Sequence, residues 1–283
     1  MENSFWNMWQ TFYQWNDPVA LSIFGLFDIR WYGLMYVLAL GTGYLVGRNL
    51  VKNGQFKMTL EQYDKAFIWV EIGVILGARL GYVLFYDPNV TYMLTHPWQI
   101  FNPFSNGQFV GISGLSYHGA IIGFVIGAYF FCKSEGIKLL AFLDFTTIAG
   151  SAGYGFGRLG NFMNERLVGR QTDVDWGIYV SGVLRHPSAL YEAFLEGLVI
   201  FIILFWFRMK KTFDGQMLTL YAMLYATARF IVEFYRQPDE QLGFLLLDWL
   251  TMGQILSFVM FALALAAYLF FQKTQSLTPF NKA

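Results

Sequence analysis

Of 283 residues, 56% are hydrophobic and only 13% charged, against about 25% charged in an ordinary soluble domain. A chain this long could bury a core without such a deficit, so the composition excludes a conventional soluble globule and points to membrane spans of roughly 20 apolar residues each. The zero net charge gives no bulk attraction to nucleic acid, and a single cysteine, Cys132, excludes an internal disulfide or a thiolate metal cluster.

The chain starts without a basic region before its first apolar run and without a small-residue cleavage site, so a signal peptide is not expected. Trp6, Trp9, Phe12, Tyr13 and Trp15 recur among polar residues and predict a short segment lying in the membrane interface. Apolar run length then predicts about seven transmembrane helices, near 31–50, 66–86, 114–132, 138–158, 188–208, 216–236 and 250–271. The expected fold class is an all-α polytopic membrane protein, residues 1–283 forming one membrane domain. An insertion at about 159–187 forms a small outer head. Within it, Trp176–Val180 and Val183–Leu184 flank Ser181-Gly182 in the pattern of a β-hairpin.

Seven spans put the termini on opposite sides. With the N-terminus outside and the C-terminus cytoplasmic, every lysine falls on or near the inner side, while loop 87–113 has no lysine or arginine. The outer basic residues are then all arginines: Arg30, Arg158, Arg166, Arg170, Arg185, Arg229 and Arg236. Arginine offers a planar fork of donors suited to phosphate or carboxylate. Salt bridges to Asp173, Asp175, Asp239 and Asp248 in the same loops are the alternative reading for about half of them.

Glycines four apart on the second span (Gly73, Gly77, Gly81), the third (Gly119, Gly123, Gly127) and the fourth (Gly153, Gly157) predict close helix packing. Ionisable residues inside spans are costly and therefore candidates for function: Glu71 and Arg79, Asp144, and Arg229 with Glu233. Tyr225, Arg229, Glu233 and Arg236, spaced 4, 4 and 3, share one helical face. Arg229 and Glu233 can neutralise each other while Glu233 orients the guanidinium toward an anion. His118, at the outer start of the third span, changes charge near neutral pH and is the candidate base. His186, followed by Pro187, anchors the start of the fifth span, and Arg79 and Asp144 are structural supports. The richest stretch is Gly157-Arg158-Leu159-Gly160-Asn161-Phe162-Met163-Asn164-Glu165-Arg166, continuing to Gly169. Its glycines let backbone approach a ligand, and Arg158 and Asn161 offer donors to phosphate and ester oxygens. There is no G-x-S-x-G, H-E-x-x-H or Walker-type loop, so neither a metal nor another cofactor is expected.

This stretch closely resembles the signature of the prolipoprotein diacylglyceryl transferases. Similar segments follow in family order: Arg30-Trp31-Tyr32-Gly33, Gly77-Ala78-Arg79-Leu80-Gly81, Tyr117-His118-Gly119, Arg185-His186-Pro187-Ser188 through Glu192, and Arg229-Phe230-Ile231-Val232-Glu233 with Arg236-Gln237-Pro238. The resemblance implies a bacterial cytoplasmic (inner) membrane enzyme. Its partners are phosphatidylglycerol, prolipoprotein signal peptides with a lipobox cysteine, and the surrounding membrane lipids. Such enzymes join the diacylglyceryl group to the cysteine thiol as a thioether, the first step of lipoprotein modification, and release glycerol phosphate. Carried over by motif, the essential residues are His118, Arg158, Asn161, Gly169 and Arg229, supported by Tyr32, Asp144, Tyr225 and Glu233; Arg236 joins the phosphatidylglycerol set. One departure stands out. The family signature has its glutamate two positions after the second asparagine, where this chain has Arg166, and Glu165 stands one place early.

Two other classes fit parts of the pattern. A membrane transporter for lipids or small anions also carries intramembrane charges and glycine-rich helices, although arginines gathered on one side argue against a pathway through the bilayer. An interaction scaffold would need none of this chemistry.

Overall fold

The computed structural model describes residues 4–24, 27–105, 108–109, 111, 114–164, 168–238, 243, 245 and 249–274. The chain divides into two compact units, one within residues 1–56 and 144–283, the other within 57–143. In chain order the elements are α1 (Ser4–Gln10), α2 (Phe12–Trp15), β1 (Val19–Ile23), β2 (Phe27–Arg30), α3 (Trp31–Lys52), α4 (Leu60–Phe85), α5 (Val90–Thr95), β3 (Phe104–Ser105), β4 (Gln108–Phe109), α6 (Tyr117–Glu135) and α7 (Leu139–Met163). Then come β5 (Ile178–Val180), β6 (Val183–Arg185), α8 (Ser188–Glu192), a π-helical stretch Ala193–Val199, α9 (Ile200–Phe207), α10 (Gln216–Val232) and α11 (Met252–Thr274). Among the described residues, four helical runs are long and apolar enough to cross a membrane: Trp31–Lys52, Leu60–Phe85, Ser188–Lys210 and Met252–Thr274.

In the unit 57–143, α4 begins earlier than its apolar run because Thr59 and Gln62 form a reciprocal cap. The Thr59 side chain accepts from the Gln62 amide at 3.1 Å, and Gln62 Oε1 accepts from the Thr59 amide at 2.9 Å. Ser116 caps α6 by accepting from the Gly119 amide at 3.2 Å, and Gly136, at φ +69°, ends it. The glycine stripes of α4 and α6 face each other. A Cβ on Gly77 would stand 2.3 Å from the Gly119 carbonyl oxygen, and one on Gly123 would stand 2.0 Å from that of Gly73. Buried Arg79 donates to the carbonyls of Ile100 and Gly114, tying down the chain that follows α4.

In the larger unit α7 packs by small residues on two sides. A Cβ on Gly153 would meet the Ala39 carbonyl at 2.2 Å, and Gly160 closes on the first turn of α3, where Tyr32 would lie 3.2 Å away. Gly155 and Gly197 bring α7 and the π-helical stretch together, a Cβ on Gly197 falling 2.7 Å from the Gly155 Cα. Gly157 differs from the packing expected of it: nothing lies within 4 Å of its added Cβ.

The aromatic N-terminal segment folds onto the end of α7. Trp9 and Phe12 stack on Phe162 at 5.8 and 5.2 Å, the Tyr13 hydroxyl donates to the Phe162 carbonyl at 2.6 Å, and the Trp9 indole donates to the Trp176 carbonyl at 3.0 Å. Ile178 and Val180, the buried residues of β5, join Phe162 in the same apolar cluster. Strands β5 and β6 pair antiparallel from Ile178↔Arg185 to Val180↔Val183. The turn between them has positive φ at both central residues, Ser181 (+49°) and Gly182 (+80°), which suits the twist of a two-residue hairpin.

Candidate functional site

Arg158 leaves α7 five residues before the helix ends, and Arg229 lies in the last turn of α10. Between them stands Glu192, the last residue of α8, which is fully buried. Its carboxylate bridges the two arginines: Oε2 lies 3.1 Å from Arg158 Nη1, and Oε1 accepts from Arg229 Nη1 at 2.7 Å. Each arginine has a second carboxylate. Arg158 Nη2 is 3.3 Å from Glu196 Oε2, and Arg229 Nη2 is 2.7 Å from Glu233 Oε2. The two guanidiniums are thus held in fixed orientation by forked contacts, the geometry in which arginine differs most from lysine.

Tyr154, one turn before Arg158 on α7, completes the bracket. Its hydroxyl accepts from Arg158 Nε at 2.9 Å and Nη2 at 2.5 Å, and donates to Glu196 Oε2 at 2.5 Å. Both lone pairs and the proton are used. The Tyr225 hydroxyl lies 3.4 Å from it, on the α10 face that carries Arg229. Glu233 Oε1 accepts from the Thr251 hydroxyl at 3.0 Å, and Gly253 is needed beside it because a Cβ there would stand 2.7 Å from that carboxylate.

Among the described residues the charges do not balance: three carboxylates face two guanidiniums. Glu196 Oε1 and Gln254 Nε2 are buried and have no hydrogen-bond partner among the described residues. A buried polar atom without a partner costs on the order of 1–3 kcal/mol, so the cluster has unused capacity for a proton or a ligand atom.

A second layer fixes the chain around the site. Arg170 donates to the carbonyls of Arg236 at 2.9 Å and Glu233 at 3.1 Å, and Arg185 donates to that of Gly169 at 3.1 Å. Backbone carbonyls thus take donors of both loop arginines, while Arg158 and Arg229 pair with buried glutamates. Gly169 bridges to Arg236 and crosses the His186 backbone so closely that a Cβ would stand 2.2 Å from its carbonyl oxygen. His186 Nδ1 meets the Tyr191 hydroxyl at 3.2 Å. Burial pushes the His186 imidazole below its usual range, with Asp173 opposing, and favours the neutral ring there.

Of the residues singled out by sequence, Arg158, Arg229, Glu233 and Tyr225 come together. Asn161 lies one turn beyond Arg158, half-buried, with no hydrogen-bond partner among the described residues, and Tyr32 is exposed at the start of α3. His118 lies exposed in the first turn of α6, in the other unit. Asp144 lies near the other end of α10, where it accepts from the amides of Gly215 and Leu218 and pairs with Lys211. Glu165 and Arg166, where the signature departs from pattern, lie outside the described residues.

A family model described as prolipoprotein diacylglyceryl transferase matches residues 18–270. The chain belongs to the prolipoprotein diacylglyceryl transferase family. It is 55% identical over 262 residues to the phosphatidylglycerol–prolipoprotein diacylglyceryl transferase of Campylobacter jejuni subsp. jejuni serotype O:23/36 (strain 81-176), covering 92% of this chain and 96% of that relative. To the proteins of the same description from Aliarcobacter butzleri (strain RM4018) and Wolinella succinogenes it is 52% and 53% identical over 260 and 252 residues, or 92% and 89% of this chain and 95% and 92% of theirs. With its long apolar helices, this member of the diacylglyceryl transferase family is a multi-pass membrane protein.

Three members of the cluster escaped the sequence reading: Glu192, Glu196 and Tyr154. The rule that flagged Glu233 applies to the first two, since both are carboxylates inside the apolar run 188–208. Tyr154 gave no such signal, being an ordinary aromatic four residues before Arg158.

Proposed function

We infer that this chain transfers the diacylglyceryl group of phosphatidylglycerol to the lipobox cysteine thiol of prolipoproteins, releasing glycerol phosphate. The single observation that carries the reading is the pair Arg158 and Arg229, cross-braced through Glu192 at 3.1 and 2.7 Å. Two guanidiniums locked side by side are a preorganised seat for a phosphate, and the family supplies the substrate.

In the reaction the thiol proton goes to His118, the sulfur attacks the glyceryl carbon bonded to the phosphate oxygen, and that carbon–oxygen bond breaks. The phosphate passes from a diester with one charge to a monoester with about −1.5 to −2, by analogy with phosphorylated side chains. Arg158 and Arg229 bind that growing charge more strongly than the ground state, which is how a fixed electrostatic site lowers a barrier. Glu233 holds Arg229. Asn161, Tyr225 and Tyr32 orient the glycerol and ester oxygens, and Gly169 and Arg236 shape the phosphatidylglycerol side of the site. Asp144, His186 and Arg79 serve the scaffold.

The topology that suits this chemistry has seven spans, α3, α4, α6, α7, the α8–α9 run, α10 and α11, in the cytoplasmic membrane. The N-terminus is outside, the C-terminus is cytoplasmic, and the β5–β6 hairpin belongs to a periplasmic head. The lysine distribution supports this orientation.

The deciding experiment mixes purified protein, phosphatidylglycerol and a lipobox peptide and reads the peptide by mass spectrometry. A gain of one diacylglyceryl mass on cysteine is expected; lipid movement between vesicles with an unmodified peptide would replace this reading with transport. For the base, His118→Asn is expected to lose activity at pH 7 and regain part of it as the thiol ionises at higher pH. Full activity of that variant at pH 7 would remove His118 from the role.

A further inference from the structure

Below the arginines, α10 and α11 part to leave an open groove of about 480 Å³, lined by apolar side chains and by Thr219. Its α10 wall is made by Leu218 and Ala222. These continue upward as Tyr225 and Arg229, a spacing of 4, 3 and 4, so the groove and the arginine lie on one face of one helix. On α11 the wall runs from Leu256, Val259 and Met260 to Leu263, Ala264 and Ala267, and Phe271 closes the lower end. Phe271 is seated against Gly215, where an added Cβ would meet its ring at 2.7 Å.

The dimensions select an occupant. Ala222 and Leu218 lie seven and eleven residues from Arg229, which is about 10 and 16 Å of helix rise. The hydrocarbon of one leaflet is about 15 Å deep, half of a core of roughly 30 Å. A lipid whose phosphate sits at the arginines therefore has chains long enough to reach Leu218 and end near Phe271. The chemistry changes in the same order, from guanidinium through the Tyr225 hydroxyl to alanine and leucine, as it does along a phospholipid from headgroup to chain end.

We propose that the α10–α11 groove holds one acyl chain of the phosphatidylglycerol substrate, with Phe271 as the stop that sets its length; this rests on the reading that the arginine pair takes the lipid phosphate. Two measurements test it. In the first, transfer rates are compared for dipalmitoyl and dioctanoyl phosphatidylglycerol. Ala222→Phe, which fills the groove half-way, is expected to lower the ratio of kcat/KM for the long over the short lipid on the order of tenfold, the loss of about two buried methylenes. Phe271→Ala is expected to raise the relative rate with distearoyl lipid. An equal loss on both chain lengths for Ala222→Phe, with Phe271→Ala unmoved, overturns the proposal. The second uses wild-type protein in nanodiscs and phosphatidylglycerol bearing a diazirine at one chain end. Cross-links are expected at Leu263 to Phe271 and to be displaced by unlabelled phosphatidylglycerol. Cross-links elsewhere, or equal labelling by a phosphatidylcholine probe, refute it. If no peptide is ever modified, the transfer reading fails, while cross-linking still decides what fills the groove.

Discussion

The larger unit buries two ionic clusters, one at each end of α10, and they differ in how far they are closed off. At the N-terminal end, Lys211 lies 3.0 Å from Asp144 and 2.9 Å from Asp214. Asp144 also accepts from the Gly215 and Leu218 amides at 2.8 and 2.9 Å, two of the free N–H groups at the start of α10. At the C-terminal end, two arginines face three glutamates among the described residues, and Glu233 lies against the start of α11, where it accepts from the Thr251 hydroxyl at 3.0 Å. The arginine side chains there remain 18% and 14% exposed, against 2% for Lys211. The closed cluster is a joint; the open one has room for something to bind. Buried ion pairs of either kind add little net stability but cost about 3–5 kcal/mol when one partner is removed, so mutation can tell the two apart.

The largest effect is expected at the open cluster. Arg229→Ala and Arg158→Ala should each lower thioether formation by about 10³-fold or more, while the protein still inserts and purifies. Normal transfer by either variant would break the comparison. Next comes Glu192→Gln, expected to cost about 10²-fold because the brace shared by both arginines is lost. Glu196→Gln should act in the other direction on binding: removing the surplus charge beside Arg158 is expected to lower KM for phosphatidylglycerol severalfold. If the two glutamine variants behave alike, the carboxylates have no separate roles. At the closed cluster, Asp144→Ala is expected to destabilise by about 3–5 kcal/mol in thermal unfolding, with activity per folded molecule near that of the wild type. The smallest effect is at Gly157. Gly157→Ala enters open space and should stabilise α7 by up to about 1 kcal/mol, whereas Gly153→Ala drives into the Ala39 carbonyl and should destabilise. Lost activity in a stabilised Gly157→Ala would mark that open space as ligand space.

Much of the site was legible because membranes make charge conspicuous. Arg158, Arg229 and Glu233 stood out against apolar surroundings, and helical spacing placed Tyr225 beside Arg229. What spacing could not give is pairing between helices. Glu192 and Glu196 were as visible as Glu233, yet nothing in the order of residues says that a carboxylate on α8 reaches an arginine 34 positions earlier and another 37 later. The loop arginines show the same limit, since Arg170 and Arg185 spend donors on backbone carbonyls, which carry no sequence signature.

The sequence by itself determined the membrane class, the glycine faces of α4 and α6, the turn at Ser181-Gly182 and the family, because each depends on local periodicity, conformational freedom or an ordered string of motifs. The tertiary structure alone decided which charges meet, that the aromatic N-terminus folds onto Phe162, that Gly157 faces open space, and that the groove on α10 lies in line with Arg229. Those features depend on where one helix comes to rest against another, and small side chains set that over many residues at once, so no single position announces it.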